Sequence, residues 1–488
     1  MIKFGTDGWR AEIAREYTFE NLRYVALATA KYILSLADEK RKKKEGAKKE
    51  GASKSKKERP ILPSCVIGYD TRFLSKAFAQ ETAIVLASQG VVVHFTDDIA
   101  STPQVSFNTK QKGVNLGIVI TASHNPPQYN GYKLKAAFGG PATPDQIAMV
   151  ESELEKIMAK PPTLKLATFE SYVEQRLIRV FDAKESYIRL IKKKIKVDEI
   201  RKACPKVVFD MMHGAGINTV GTLLPDAVEI HSDLNPSFGD IHHPEPIAEN
   251  LFTLSEKVKY GKFDLGVAFD GDADRLGAVD HTGEFVDSHK IFMILLKYLV
   301  EVRKKRGPVV KTVSLTSMVD MYCKKKNLTL IETPVGFKYV AELMANSSVL
   351  IGGEESGGLA TALHIPERDG LFNAMLLLEA MVVRKKSLRE LCQELDDDFG
   401  THRFMRRDKI VTHQKKEAIL AASEKSPTKI GKNPITKTNK KDGYKFFVEN
   451  GWVLIRASGT EPLVRFYAEA DSMGKVSELI DEAEKLAK

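Results

Sequence analysis

Residues 265–275 read LGVAFDGDADR: an apolar run, an aspartate where the run stops, then aspartates on alternate positions through a turn. The run fits a buried strand and is too short for a helix. The same form stands upstream as SCVIGYD (64–70) and PKVVFDMMHGAG (205–216), each an apolar strand closed by Asp. Helical spacing fills the intervals, in FENLRYVALATAKYILSLA (19–37) and in AFAQETAIVLASQG (77–90), which a glycine stops. VVVHFTDD (91–98) and VNLGIVITASHN (114–125) add strands. A further restart runs through VVKTVSLT (309–316), LTLIETPVGFKYVAELM (328–344) and SVLIGGEESGGL (348–359). Such alternation predicts α/β architecture, with mainly parallel or mixed sheets covered by helices on both faces. In open sheets of this kind ligands bind at the carboxyl ends of strands, where these aspartates stand.

The last part of the chain differs. Residues 425–443 are rich in Lys, Thr and Pro, and GWVLIRASGTEPLVRFYAEA (451–470) reads as two strands around a turn before the helical KVSELIDEAEKLAK. This predicts a smaller α+β domain. With 488 residues the chain exceeds a single core. The expected domains are 1–180, 181–298, 299–396 and 397–488.

Composition excludes several classes. There is no apolar run of membrane-spanning length and no secretory apolar segment at MIKFGTDGWR. Cys65, Cys204, Cys323 and Cys392 are scattered singly, so neither a zinc site nor a disulfide framework is expected, and a reducing cytoplasm fits. The formal net charge of +10 invites a nucleic-acid reading. Residues 40–59, KRKKKEGAKKEGASKSKKER, hold eleven Lys or Arg against three Glu and so supply most of that excess. They are expected to form a solvated loop, and no nucleic-acid partner is expected.

Four motifs carry chemistry. In FDGDADR, Asp270, Asp272 and Asp274 converge by alternation, and clustered carboxylates call for a hard cation such as Mg²⁺. The alternative is an acidic surface turn. In RASGTEPLVR (456–465), Ser458, Gly459 and Thr460 lie between Arg456 and Arg465, a donor set suited to a phosphate, although an ordinary hairpin turn would look similar. GGEESGG (352–358) turns on glycines and leaves Glu354, Glu355 and Ser356 pointing outward for sugar hydroxyls, with HIPERDG (364–370) close behind. ETPVGFKY (332–339) offers Lys338 after Gly336, either for proton transfer or as a solvated lysine at a helix start. FGTDGWR (4–10) places Arg10 after two glycines.

TASHNPPQYNGYK (121–133) sets Ser123 beside His124, with Lys133 downstream. It is not the strained G-x-S-x-G elbow of a hydrolase, whose base comes from distant sequence. On an extended chain, His124 would direct its ring away from Ser123. A phosphorylated Ser123, by contrast, would be a natural partner for a metal held by three aspartates.

Taken together and in this order, GTDGWR, TASHNPPQYNGYK, DGDADR, GEESGG and RASGTEP resemble the α-D-phosphohexomutases over nearly the whole chain. The resemblance implies three related mixed α/β units and a smaller fourth domain around a central cleft. It implies a phosphoserine at Ser123, one Mg²⁺ held by Asp270, Asp272, Asp274 and the Ser123 phosphate, and sugar contacts from Gly336, Glu354 and Ser356. Arg456, Ser458, Gly459, Thr460 and Arg465 would hold the non-reacting phosphate, and Arg10, His124, Lys133 and Arg275 would line the reacting end. Lys133 and Lys338 compete for proton transfer. The implied reaction interconverts hexose 1- and 6-phosphates, with a hexose 1,6-bisphosphate as intermediate and activator. Glu355 and Gly358 favour glucose or mannose phosphate over the phosphoglucosamine branch. A metal-dependent phosphatase is the rival from another class. The sequence is silent on oligomeric state.

Overall fold

The computed structural model describes residues 2–5, 8–49, 62–425, 427–457 and 463–486. Four main sheets follow one another along the chain. In the first, the short apolar strands Leu116–Ile120, Ser64–Tyr69, Val92–Thr96 and Ile178–Phe181 run parallel. Tyr129–Ala136 adds antiparallel to Leu116–Ile120, and Trp9–Glu12 closes that edge. In the second, Leu265–Phe269, Val207–Asp210 and Val228–Ile230 are parallel, and Leu276–Asp280 pairs antiparallel with Leu265–Phe269. In the third, Leu330–Thr333, Val309–Thr312 and Ile351–Gly353 are parallel, and Leu359–Thr361 returns antiparallel to Ile351–Gly353.

The three units share a device that positions the site. In each, the chain leaves the carboxyl end of a parallel strand, makes one loop, and returns as an antiparallel strand beside it. Those loops hold Ser123, the three aspartates and Glu354–Ser356 respectively. The strands that feed them are buried, as both-face coverage by helices requires.

The fourth sheet is antiparallel throughout, in the order Arg403–Ile410, Leu463–Ala470, Gly451–Ala457, Tyr444–Val448, Lys437–Asn439. Helix Met473–Glu484 buries Val476, Leu479, Ile480 and Ala483 in that unit's core. One apolar core runs without a break through the second and third units, from Tyr187 to Leu395.

The basic segment departs from expectation. Helix Phe19–Lys49 continues through residues 40–49, where a loop was expected; residues 50–59 of that segment lie outside the described residues. Ala, Lys, Arg and Glu are strong helix formers, and a helix already nucleated by the buried stretch around Leu22–Ala37 extends at little further cost. Among the described residues no helix is long and apolar enough to cross a membrane.

Candidate active site

Ser123 sits on a left-handed backbone turn, φ +55°, at the end of strand Leu116–Ile120. It is 1% exposed, and its hydroxyl donates to Asp270 Oδ2 at 3.0 Å. The turn also brings His124 Nδ1 to 3.4 Å from Ser123 Oγ. The expectation that the ring points away therefore fails, because the backbone at Ser123 is turned and not extended. The contact still does not make His124 an activating base. Burial and the nearby Arg275 charge hold its pKa well below the usual histidine range, and a bond of that length is weak.

The loop is held from beneath by Arg72. Its buried guanidinium donates to the carbonyls of Ser123 at 2.7 Å, Asn125 at 2.5 Å, Pro126 at 2.8 Å and Tyr129 at 3.0 Å, and it pairs with Asp70 at 3.3 Å. Gly131 has a role in the same loop. A Cβ there would lie 2.4 Å from the Thr121 carbonyl and 2.9 Å from that of Trp9, so only glycine lets three strands approach at this point. Opposite Gly131 in the ladder is Arg10, whose Nη1 donates to Asn125 Oδ1 at 2.7 Å.

Asp270, Asp272 and Asp274 are fully buried and present carboxylate oxygens within 4.8 Å of one another. Asp270 Oδ1 is engaged by the backbone N–H groups of Asp274 at 2.9 Å and Arg275 at 3.1 Å. Among the described residues, Oδ1 of Asp272 and Oδ1 of Asp274 are buried without a hydrogen-bond partner. Burial and the charges of Asp274 and Asp272 push the Asp270 carboxyl well above the usual range. Burial acts in the same sense on Asp272 but is overridden by Lys133, which holds that carboxyl low. Three hard oxygens converging in a buried pocket, with two carboxylate oxygens of the cluster making no hydrogen bond among the described residues, fit a divalent cation such as Mg²⁺.

Lys133 is buried with Nζ 2.7 Å from Asp272 and 3.4 Å from Asp274. The hydroxyl of Thr102 also donates to Asp272. Arg275 reaches Glu245 at 2.9 Å and lies 3.8 Å from Asp270. Arg368 bridges the aspartate loop to the sugar-loop candidate, 2.7 Å from Asp274 and 3.3 Å from Glu354. Glu354 is 6% exposed, so the expected outward-pointing acid instead faces an arginine of its own unit. Burial raises its pKa, and the Arg368 charge opposes the rise. Ser356 donates to Glu354 at 2.9 Å, and Glu355 accepts from the Ser314 hydroxyl.

His124 and Arg275, chain neighbours of Ser123 and Asp274, open onto a cleft of about 1040 Å³, which Ser123, Lys133 and the three aspartates do not themselves line. Its lining brings together Arg10, His124, Arg275, Gly336, Lys338, Glu354 and Ser356 from the first three units with Arg456 and Arg465 from the fourth. Lys338 is half-buried there, its Nζ 5.2 Å from the Tyr339 ring. Arg456 donates through Nε to Asp442 at 2.8 Å, while Arg465 and Arg406 both pair with Asp408. Ser458, Gly459 and Thr460 lie outside the described residues.

Sequence reasoning missed Arg72, Thr102, Glu245, Arg368 and Arg406. DTR after the first strand-closing Asp, and ERD within HIPERDG, were the available signals. Apart from Asp70, which Arg72 pairs with inside its own triplet, their partners stand further off in the chain, so neither triplet showed the contacts that join the loops.

Four domain-family descriptions match the chain in order. They are Phosphoglucomutase/phosphomannomutase alpha/beta/alpha domain I over residues 51–161, domain II over 185–283, domain III over 287–399, and the C-terminal domain over 407–486. A phosphoglucomutase/phosphomannomutase of Thermococcus kodakarensis is 32% identical over 436 residues, covering 88% of this chain and 90% of that protein. A phosphoglucosamine mutase of Methanocaldococcus jannaschii is 32% identical over 438 residues, covering 87% and 91%. The solved structure of a phosphoglucomutase/phosphomannomutase family protein from Burkholderia thailandensis shares the fold, with a TM-score of 0.78 at 21% identity and coverage of 100% and 98%.

Proposed function

The chain belongs to the phosphoglucomutase/phosphomannomutase family of α-D-phosphohexomutases, and from that premise we propose that it interconverts hexose 1-phosphate and hexose 6-phosphate through a phosphorylated Ser123. Glucose phosphates are the proposed substrates, with mannose phosphates second. One observation carries the reading. Ser123 donates to Asp270 of a buried triad of carboxylates, and the chain neighbours His124 and Arg275 line a cleft to which Arg456 and Arg465 also contribute. A donor site beside one cleft and a separate anion site within it suit a substrate that must present each end in turn.

In this reading the Ser123 phosphoryl group passes to the free hydroxyl of a bound hexose phosphate, giving a hexose 1,6-bisphosphate. The bisphosphate reorients, and its other phosphate returns a phosphoryl group to Ser123. Arg456 and Arg465, with Ser458, Gly459 and Thr460, hold the phosphate that is not reacting. Glu354, Ser356 and the backbone at Gly336 take the sugar hydroxyls. Arg10, His124 and Arg275 face the transferring group, and neutral His124 serves as a hydrogen-bonding contact. One Mg²⁺, held by Asp270, Asp272, Asp274 and the Ser123 phosphate, would supply charge neutralisation to that group. Lys133 is the proposed proton-transfer lysine, because its ammonium lies against the carboxylates beside Ser123. The bisphosphate serves as activator by rephosphorylating Ser123. Four free thiols suit a cytoplasmic setting.

The relatives' names divide between glucose/mannose and glucosamine phosphates, and Glu355 in GEESGG is the feature that favours the former. Mutase assays with glucose, mannose and glucosamine 1-phosphates, each with the matching 1,6-bisphosphate, rank the substrates. Intact mass of the purified protein is expected to show a fraction heavier by about 80 Da, one phosphoryl group. That fraction and the mutase activity are both expected to vanish in Ser123→Ala. Full activity in Ser123→Ala would overturn the phosphoserine mechanism.

A further inference from the structure

The two described arginines of the phosphate wall are held differently. Arg465 and Arg406 share Asp408, a carboxylate of their own unit. Arg456 is held by Asp442, and the same oxygen, Oδ2, accepts both Arg456 Nε at 2.8 Å and the backbone N–H of Val335 at 2.8 Å. Val335 belongs to the third unit and, with Gly336, leads into helix Phe337–Asn346, whose first turn carries Lys338 into the cleft.

Resting on the function proposed above, we propose that Asp442 is a positioning residue: one carboxylate oxygen ties the orientation of Arg456 in the phosphate wall to the Val335–Gly336 turn that starts the Lys338 helix on the sugar side. Asp442 does not line the cleft, so it acts through those two neighbours. The turn that bears it is docked at further points. Asn439 Nδ2 donates to Glu332 Oε1 at 2.7 Å, Lys441 Nζ to the Glu332 carbonyl at 2.7 Å, and Lys445 Nζ to the Val313 carbonyl at 2.7 Å. Beneath it Val313, Trp452, Leu454 and Tyr467 form a small apolar core between the units. Gly443, at φ +83°, fixes the turn, since a Cβ there would lie 2.3 Å from the Ile455 carbonyl and 3.2 Å from Arg456 Cα. The guanidinium spends its Nε–H on Asp442, which fixes the plane in which its remaining donors can meet a phosphate. Loss of the carboxylate therefore frees Arg456 to rotate and releases the Val335 N–H at once.

The test is steady-state kinetics of wild type, Asp442→Ala, Arg456→Ala and the double variant, with glucose and mannose 1-phosphates. Asp442→Ala is expected to raise KM about tenfold, the scale of one charge-assisted hydrogen bond. Added to Arg456→Ala it should raise KM by clearly less than the roughly tenfold it causes alone, because the Arg456 part of its effect is already lost and only the Val335 part remains. The glucose-to-mannose ratio of kcat/KM should shift in Asp442→Ala and not in Arg456→Ala, since only Asp442 touches Val335. Asp442→Asn keeps the shape and an acceptor for Val335. It should raise KM with the ratio unchanged, and it carries the test if the alanine variant does not fold. An unchanged KM in both Asp442 variants, or effects of Asp442→Ala and Arg456→Ala that multiply, would overturn the inference while leaving the mutase reading intact. A wild-type protein inactive on every hexose 1-phosphate would overturn that reading and this inference with it.

Discussion

Ser123 meets Asp270 because a non-glycine residue accepts a left-handed turn, and that turn determines what its neighbours can do. His124, close by but held neutral, is left as a contact. Lys133 is different: buried against Asp272 and Asp274, it balances carboxylates that would otherwise repel one another. Lys133→Met is expected to lower kcat by at least about a hundredfold, in the range of lost general acid–base catalysis. Lys338→Met should act mainly on KM, because Lys338 lines the open cleft and is not among the buried carboxylates. Comparing kcat and KM for the two variants checks this, and a larger kcat loss at Lys338 would reverse the assignment. Asp272→Asn removes a proposed metal ligand whose Oδ1 makes no hydrogen bond among the described residues, and turnover should fall about a hundredfold or more with a weakened Mg²⁺ dependence. Wild-type turnover with an unaltered Mg²⁺ titration would sink the metal assignment.

At the scale of elements, three loops stand in the same topological place, and close backbone contact locks two of them together. The carbonyl of Ser123 lies between the Arg72 guanidinium and Gly271, where an added Cβ would come within 2.3 Å of it. Gly271→Ala must push the serine loop off its seat. It is expected to cost about 1–3 kcal/mol of stability, seen as a lowered thermal midpoint, together with a fall in kcat. A variant with the wild-type midpoint and kcat would show that the contact yields freely. Much of this arrangement was legible in the chain, because each loop announces itself locally: an apolar run, an abrupt turn, and polar residues where a strand should end. What was not legible were the struts between loops. Arg368 joins Asp274 to Glu354, and Arg72 gathers four carbonyls more than fifty residues downstream. Only the folded chain makes such residues neighbours. The helical run through residues 40–49 departs from the sequence expectation for another reason: dense charge suggests a loop, while the propensity of Lys, Glu and Ala favours helix extension.

At the scale of the whole molecule, the fourth unit meets the third through polar groups that are costly to bury. Lys445 is the clearest. Its side chain is buried, its Nζ 3.7 Å from the Trp452 ring centre and 2.7 Å from the Val313 carbonyl, with Lys311, Glu469, Glu332 and Asp320 as charged neighbours. Burial, and then the like charge of Lys311, lower its pKa from 10.5 to about 7. The folded state thus releases a proton that the unfolded chain keeps until its pKa near 10.5. Between about pH 7 and 10 the unfolded state binds more protons, so this group's contribution to stability rises with pH across that window and is least favourable below it. Glu469, whose carboxyl the His402 contact holds below the usual range against the effect of burial, stays ionised throughout the window and adds no slope of its own. Lys445→Met keeps the apolar stem over Trp452 and removes the titrating group. Thermal midpoints measured from pH 6.5 to 9.5 should climb for wild type relative to Lys445→Met, with the variant the more stable of the two at the acid end. Parallel curves for the two proteins would show that Lys445 stays protonated in the folded state, held there by the Trp452 face and the Val313 carbonyl.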